Sequence, residues 1–212
     1  MTLPPDTTID ATVFGFLRHG ETKWNRLKKI QGSCNSPLTE KGKAHVRNWA
    51  QTLKKYPWDR IFASDLGRVK ETVAILNNEL NLPVEYDARL REQSWGQWEG
   101  LTIPYIRTHH AEELENRVKR GWLFSAPGGE TRQAVKDRVL AALLTAHKKW
   151  CGQKILIVCH QGVIKTTLYH ITKRAFLPEE DPLLSHNRLH IIKYSAGSFA
   201  TVELNIPQDT VL

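Results

Sequence analysis

Lys154-Ile155-Leu156-Ile157-Val158-Cys159 is an apolar run behind a single lysine, and it stops abruptly at His160-Gln161-Gly162. It is too short for a helix and rich in β-branched residues, which fits a strand buried on both faces. Ala11 to Leu17 (ATVFGFL) is a second such run, and it stops at Arg18-His19-Gly20. A third, Asp59 to Ala63 (DRIFA), ends at Ser64-Asp65, and Val84 to Tyr86 is a brief edge strand. Helical patterns fill the spaces between. Thr39 can cap a helix in which Val46, Trp49, Ala50 and Leu53 share one face. A helix from about Leu66 puts Val69, Thr72, Val73, Leu76 and Leu80 inward. Thr131 starts a long one, with Val135, Val139, Leu140, Leu143, Leu144 and His147 along its face, and another covers Val163 to Thr172. His190 to Tyr194 and Phe199 to Leu204 are two final strands about Ala196-Gly197. Residues 92–130 are irregular apart from a helix over Ala111 to Arg120, yet they hold Trp95, Trp98 and Trp122, apolar bulk that must be buried.

Strands alternating with helices predict an α/β fold, a three-layer α/β/α sandwich on a mostly parallel sheet. The 212 residues suit one domain over 1–212, long enough for one substantial core. Hydrophobic residues at 41% and charged residues at 25% exclude wholesale disorder. No apolar run approaches the ~20 residues that cross a bilayer. Met1 to Asp10 is polar and lacks a cationic n-region, so no secretory leader is expected and the cytoplasm is the default location. Three widely spaced cysteines, Cys34, Cys151 and Cys159, with no C-x-x-C, argue against a disulfide framework or structural zinc. Cys159 is expected to be a buried structural thiol, and His109-His110 a solvated helix start rather than a metal pair. The net charge of +8 fits solubility, nucleic acid or an anionic small substrate. The basic residues are dispersed, without a long block, so no nucleic-acid or membrane partner is expected. A homodimer stays open.

In parallel sheets ligands bind beyond the carboxyl ends of the strands. Arg18-His19, Ser64 to Arg68 and His160 all follow strand ends, so residues far apart in sequence converge on one rim. Two histidines and two arginines there suit a multiply charged oxyanion. Arginine matches phosphate oxygens with a planar fork, and histidine can be a nucleophile or a proton donor.

These residues carry a resemblance. Arg18-His19-Gly20-Glu21-Thr22, with Asn25, resembles the RHGE signature of the histidine phosphatase superfamily, which includes phosphoglycerate mutases, fructose-2,6-bisphosphatases and α-ribazole phosphatases. Further landmarks follow in the family's order: Gln31-Gly32 with Pro37-Leu38-Thr39, Ser64 to Arg68 with Thr72, Leu90-Arg91-Glu92 with Gly96 to Gly100, Pro127-Gly128-Gly129-Glu130-Thr131 with threonine for the usual serine, and Val158 to Gly162. The resemblance implies a phosphoglycerate mutase-like fold and needs neither metal nor cofactor. It implies His19 as the nucleophile, Arg18, Arg68 and His160 as phosphate ligands, Asn25 and Thr22 as neutral contacts, and Glu92 as the proton donor, with Glu99 and Glu21 as rivals. Gln31, Gly32, Gln161 and Trp95 are further candidates for substrate contact. Gly20 and Gly162 are expected where backbone must approach a ligand.

The expected activity is hydrolysis of a small anionic phosphomonoester. Phosphoglycerate mutase is the alternative, and an inactive binding protein a more distant one. Mutases of the family carry a longer insertion with paired arginines between the positions of Gly100 and Pro127. Here Leu101 to Ala126 has no Arg-Arg pair, so a small cap around 93–126 that admits water is expected.

Overall fold

The computed structural model describes residues 10–209. The N-terminal stretch read above as carrying no leader lies outside them but for Asp10. In chain order the elements are β1 (Thr12–Arg18), α1 (Lys23–Arg26), α2 (Glu40–Leu53), β2 (Arg60–Ala63), α3 (Gly67–Leu80), β3 (Val84–Tyr86), α4 (Ile103–His109), α5 (Ala111–Val118), α6 (Arg132–Lys149), β4 (Lys154–Cys159), α7 (Gln161–Ile171), β5 (Leu189–Ser195) and β6 (Ser198–Ile206).

One sheet runs β3-β2-β4-β1-β5-β6. β3, β2, β4 and β1 are parallel neighbours, and β5 and β6 extend the sheet antiparallel. The two apolar runs are therefore adjacent, with Arg18 opposite Cys159. Strand side chains alternate between two cores, as the pleat requires. Val13, Leu17, Leu156 and Val158 pack with α2 and α3. Phe14, Phe16, Ile155, Ile157 and Cys159 pack with α6 and α7. This is the expected three-layer α/β/α arrangement. The predicted inner faces are buried at Val46, Trp49, Ala50 and Leu53, at Val69, Thr72, Val73 and Leu76, and at Val135, Val139 and Leu143.

Residues 93–126 are more ordered than the sequence suggested. They form short 3-10 turns and two helices around a separate small core of Trp98, Ile106, Phe124 and Ala126, against which Trp95 and Leu101 pack. α4 was not anticipated. Thr102 caps it through the Tyr105 amide at 3.2 Å and Pro104 sits in its first turn, a start signal legible in Thr-Ile-Pro. α1 was missed too: Thr22 and Asn25 cap each other reciprocally there. Three cysteines are free, and Cys159 is buried as expected. Among the described residues no helix is long and apolar enough to cross a membrane.

Candidate active site

The carboxyl ends of β1, β2 and β4 bring the predicted residues together. His19 leaves β1 and is 5% exposed. Its Nδ1 lies 2.8 Å from the Gly20 carbonyl oxygen, which can only accept, so Nδ1 carries the proton. Nε2 then carries the lone pair, and Arg68 Nε–H donates to it at 3.3 Å. Burial first, then the charges of Arg18 and Arg68, hold the His19 pKa well below the ordinary imidazole value; the Gly20 bond opposes them. The ring is neutral at neutral pH.

Arg68 is buried in the first turn of α3. Its Nη1 donates to the Cys34 carbonyl at 2.7 Å and its Nη2 to the Gly32 carbonyl at 2.8 Å. One turn on, the Thr72 hydroxyl donates to the Arg68 carbonyl and accepts from the Gly20 amide. Serine, arginine and threonine in that landmark thus have separate tasks, because Ser64 Oγ lies 2.9 Å from His160 Nε2. His160 is fully buried, with its ring centroid 5.2 Å from that of His19. Its Nδ1 has no hydrogen-bond partner among the described residues, and neither does Arg18 Nε. Such buried orphans are rare and ask for an explanation. Burial, then His19 and the arginines, lowers the His160 pKa well below the usual range. Burial also lowers that of Arg18, with Glu92 opposing, yet arginine stays protonated.

Glu92 and its rivals separate by their partners. Glu99 accepts from the Ser33 and Trp95 amides at 2.9 and 3.0 Å and from Cys34 Sγ at 3.3 Å. It is consumed in latching the 31–35 loop to the 93–99 segment. Glu21 takes the Thr39 hydroxyl at 2.7 Å. Among the described residues the Glu92 carboxylate accepts only from the neighbouring Gln93 amide at 2.9 Å and the Gly162 amide at 3.2 Å.

A profile of the histidine phosphatase superfamily (branch 1) matches residues 14–207. The chain belongs to that superfamily. It is similar to an uncharacterized phosphatase, PhoE, of Bacillus subtilis (strain 168), 32% identical over 178 residues, which are 84% of this chain and 83% of that one. It is also similar to a probable phosphoglycerate mutase, GpmB, of Salmonella choleraesuis (strain SC-B67), 35% identical over 147 residues, 68% and 67% of the two chains. Among solved structures, YhfR of Bacillus stearothermophilus aligns with a TM-score of 0.82 at 30% identity, covering 94% of this chain and 98% of that one.

In this member of the superfamily a cavity of about 230 Å³ opens at His19. Arg18, His19 and Asn25 line it, beside Glu21. Lys41, His45 and Asn187 also line it; from sequence His45 is expected to have no role at the site, and Lys41 and Asn187 are not singled out. Lys41 and His45 lie one turn apart at the start of α2, directly after the Pro37-Leu38-Thr39 landmark, so their spacing was a usable signal. Asn187 carried none. It arrives because antiparallel β5 sets His190 opposite Phe16, which leaves the residues before β5 beyond the end of β1. A larger cleft of about 730 Å³ lies among α6, α7 and the β5–β6 hairpin and includes none of these residues.

Arg68, His160 and Glu92 are not among the residues that line the His19 cavity, and neither are five further candidates for substrate contact. Thr22 is fully buried, and its hydroxyl caps α1. Gly32 spends its carbonyl on Arg68. Gln31 is buried, with its Oε1 unpartnered. Gln161 opens α7, half-buried. The Trp95 ring packs edge-on against Phe124 at 5.4 Å. The reason expected for Gly20 is also corrected: a Cβ there would meet Val46 Cγ2 at 2.7 Å, so the close approach is to α2 and not to a ligand. At Gly162 a Cβ would come within 2.3 Å of Glu92 Oε1, so the glycine makes room for that carboxylate. Among the described residues no group of three or more His, Cys, Asp or Glu is placed to hold a metal ion.

Proposed function

We propose that the chain is a phosphomonoester hydrolase working through a phosphohistidine at His19, on a small anionic phosphorylated substrate, with residues 93–126 as its cap. The observation that carries this reading is the fixed tautomer of His19, a buried neutral imidazole whose Nε2 lone pair stands against an arginine. Nε2 attacks phosphorus; the N–P bond forms as the ester P–O bond breaks. Glu92 gives a proton to the leaving oxygen. Water then attacks phosphorus, Glu92 takes its proton back from that water, and the N–P bond breaks to release phosphate. Arg18, Arg68 and His160 hold the phosphoryl oxygens and disperse their charge, the task a metal performs elsewhere. The unpartnered Arg18 Nε and His160 Nδ1 support that role, since a phosphoryl oxygen would satisfy such groups.

The second reading, phosphoglycerate mutase, is favoured by the similarity to GpmB. The absence of an Arg-Arg pair from Leu101 to Ala126 weighs against it. The deciding experiment measures phosphate release from a panel of phosphomonoesters, with chelator present. The panel includes 3-phosphoglycerate with its bisphosphate primer, sugar bisphosphates, nucleotides and α-ribazole phosphate. Release should resist the chelator and fall on the order of 10⁴-fold or more in His19→Ala. Isomerisation of phosphoglycerate without phosphate loss would give the mutase instead, and release that survives in His19→Ala would overturn both.

A further inference from the structure

Glu92 is fixed less by its own carboxylate bonds than by what grips its main chain. Arg138, on the second turn of α6, forks onto Glu130, with Nε to Oε1 at 2.8 Å and Nη2 to Oε2 at 2.9 Å. The same guanidinium donates from Nη1 to the Arg89 carbonyl at 2.6 Å and from Nη2 to the Glu92 carbonyl at 3.2 Å. Glu130 contributes from its backbone: its amide donates to the Ser94 carbonyl at 2.9 Å, and its carbonyl accepts from Gln93 Nε2 at 2.7 Å. The segment 89–94 is thus held on both sides of Glu92 and at Glu92 itself. The two charged side chains are only 20% and 23% exposed, so losing either strands the other in a poorly solvated place.

We infer that the Glu130–Arg138 pair is a positioning element that sets where the Glu92 carboxyl stands relative to His19, without itself touching substrate. The inference rests on the reading of Glu92 as proton donor. A tie that only joined α6 to the neighbouring loop could end on any carbonyl. These bonds end on residues 89, 92, 93 and 94, and among the described residues the one remaining anchor of the carboxylate outside that segment is the Gly162 amide at the start of α7. Lysine cannot replace this arginine, because a point charge cannot serve a carboxylate and two carbonyls from one plane.

The test separates placing a proton from folding. kcat and KM are measured on alkyl and aryl phosphates whose leaving alcohols span a wide range of acidity, for wild type, Glu92→Gln, Arg138→Lys, Glu130→Gln and the Arg138→Lys/Glu92→Gln double variant. A misplaced donor hurts poor leaving groups most. The ratio of kcat on an alkyl phosphate to kcat on 2,4-dinitrophenyl phosphate should therefore fall about tenfold in Arg138→Lys and in Glu130→Gln, with KM moving little. The double variant should be no steeper than Glu92→Gln, since a mispositioned donor and an absent one are not additive. A merely structural role lowers the folded fraction and scales every substrate alike, leaving the ratio untouched. If Arg138→Lys does not fold, Glu130→Gln carries the test. A steep leaving-group dependence in Glu92→Gln beside an unchanged ratio in both positioning variants overturns the inference alone. An unchanged ratio in Glu92→Gln overturns the proton-donor reading, and this inference with it.

Discussion

His19, Arg68 and His160 stand on strand ends and a helix start whose main chain belongs to the central sheet and its two cores, whereas residues 93–126 are built on a small core of their own and joined to the rest by main-chain bonds at Ile30, Pro127 and Glu130 and by a few side chains. Glu99 makes one side-chain join, to the 31–35 loop, and Gln93 makes another, to the Glu130 carbonyl. The difference separates two kinds of demand. Chemistry on phosphorus needs groups held to a fraction of an ångström, so it sits where packing is continuous. Fit to the rest of a substrate tolerates an annex that can change without disturbing the sheet. Damage at the rim should therefore affect every substrate alike, and damage in the annex should sort substrates.

Arg68→Lys is the most severe way to break the rim while keeping its charge. Lysine cannot reach the Gly32 carbonyl, the Cys34 carbonyl and His19 Nε2 from one plane. kcat/KM should fall about 10³-fold, roughly 4 kcal/mol, the scale of losing a preorganised donor. The fall should be equal for small and large esters. A loss that varied strongly with the alcohol would place Arg68 in substrate selection instead.

Ile106→Ala probes the annex. Ile106 is fully buried in the 93–126 core, so its truncation should cost about 3 kcal/mol by denaturant melting. In the folded fraction, kcat/KM on bulky esters should drop more than on phenyl phosphate. Equal losses would mean that the annex and the sheet are one unit.

Legibility followed the same division. The rim could be read from sequence because each member ends a strand or starts a helix: Arg18 and His19 after ATVFGFL, His160 after KILIVC, Arg68 in the first turn of the helix after Ser64. Periodicity and strand ends are local signals, and parallel strand order then brings the ends together. Asn187 was illegible because its place depends on the antiparallel return of β5, a long-range pairing. Thr22 and Gly32 were misread for the opposite reason. They stand beside the right residues in sequence, but their polar groups are used by the main chain of α1 and by Arg68. Glu92 stood ahead of Glu99 by the resemblance alone, because only the fold supplies the amides and the thiol that occupy Glu99.

Acid should expose the sheet side and spare the annex. His190, beside the rim on β5, accepts the Asn205 amide at Nδ1 at 3.1 Å and is buried, and burial pushes its pKa down to about 4. The unfolded ring titrates near 6.5. Between those values the unfolded chain binds a proton that the folded chain refuses. Stability is therefore complete above about pH 6.5 and declines as pH falls towards 4, by on the order of 3 kcal/mol from this residue. His19 and His160 act in the same direction, while His109 of the annex is exposed. Urea melts at pH 7 and 4.5 should show His190→Asn losing less stability on acidification than wild type. An unchanged pH dependence would show that His190 is not held neutral.

Gly162→Ala has the smallest expected effect and draws the finest line between holding a residue and letting it act. Its Cβ would come within 2.3 Å of Glu92 Oε1, the far end of a flexible side chain, and residue 162 lies in α7, where alanine is favoured over glycine. The carboxylate must yield and the helix need not. The melting temperature should hold within a degree or two or rise slightly, while kcat on an alkyl phosphate falls about tenfold, the cost of moving a proton donor off its line. Aryl phosphates with acidic leaving groups should lose less, because their oxygen needs the proton less. A variant that lost stability and rate together would show that Gly162 serves packing. One that lost rate equally on all esters would show that the Glu92 carboxylate stands there for its charge and not for its proton.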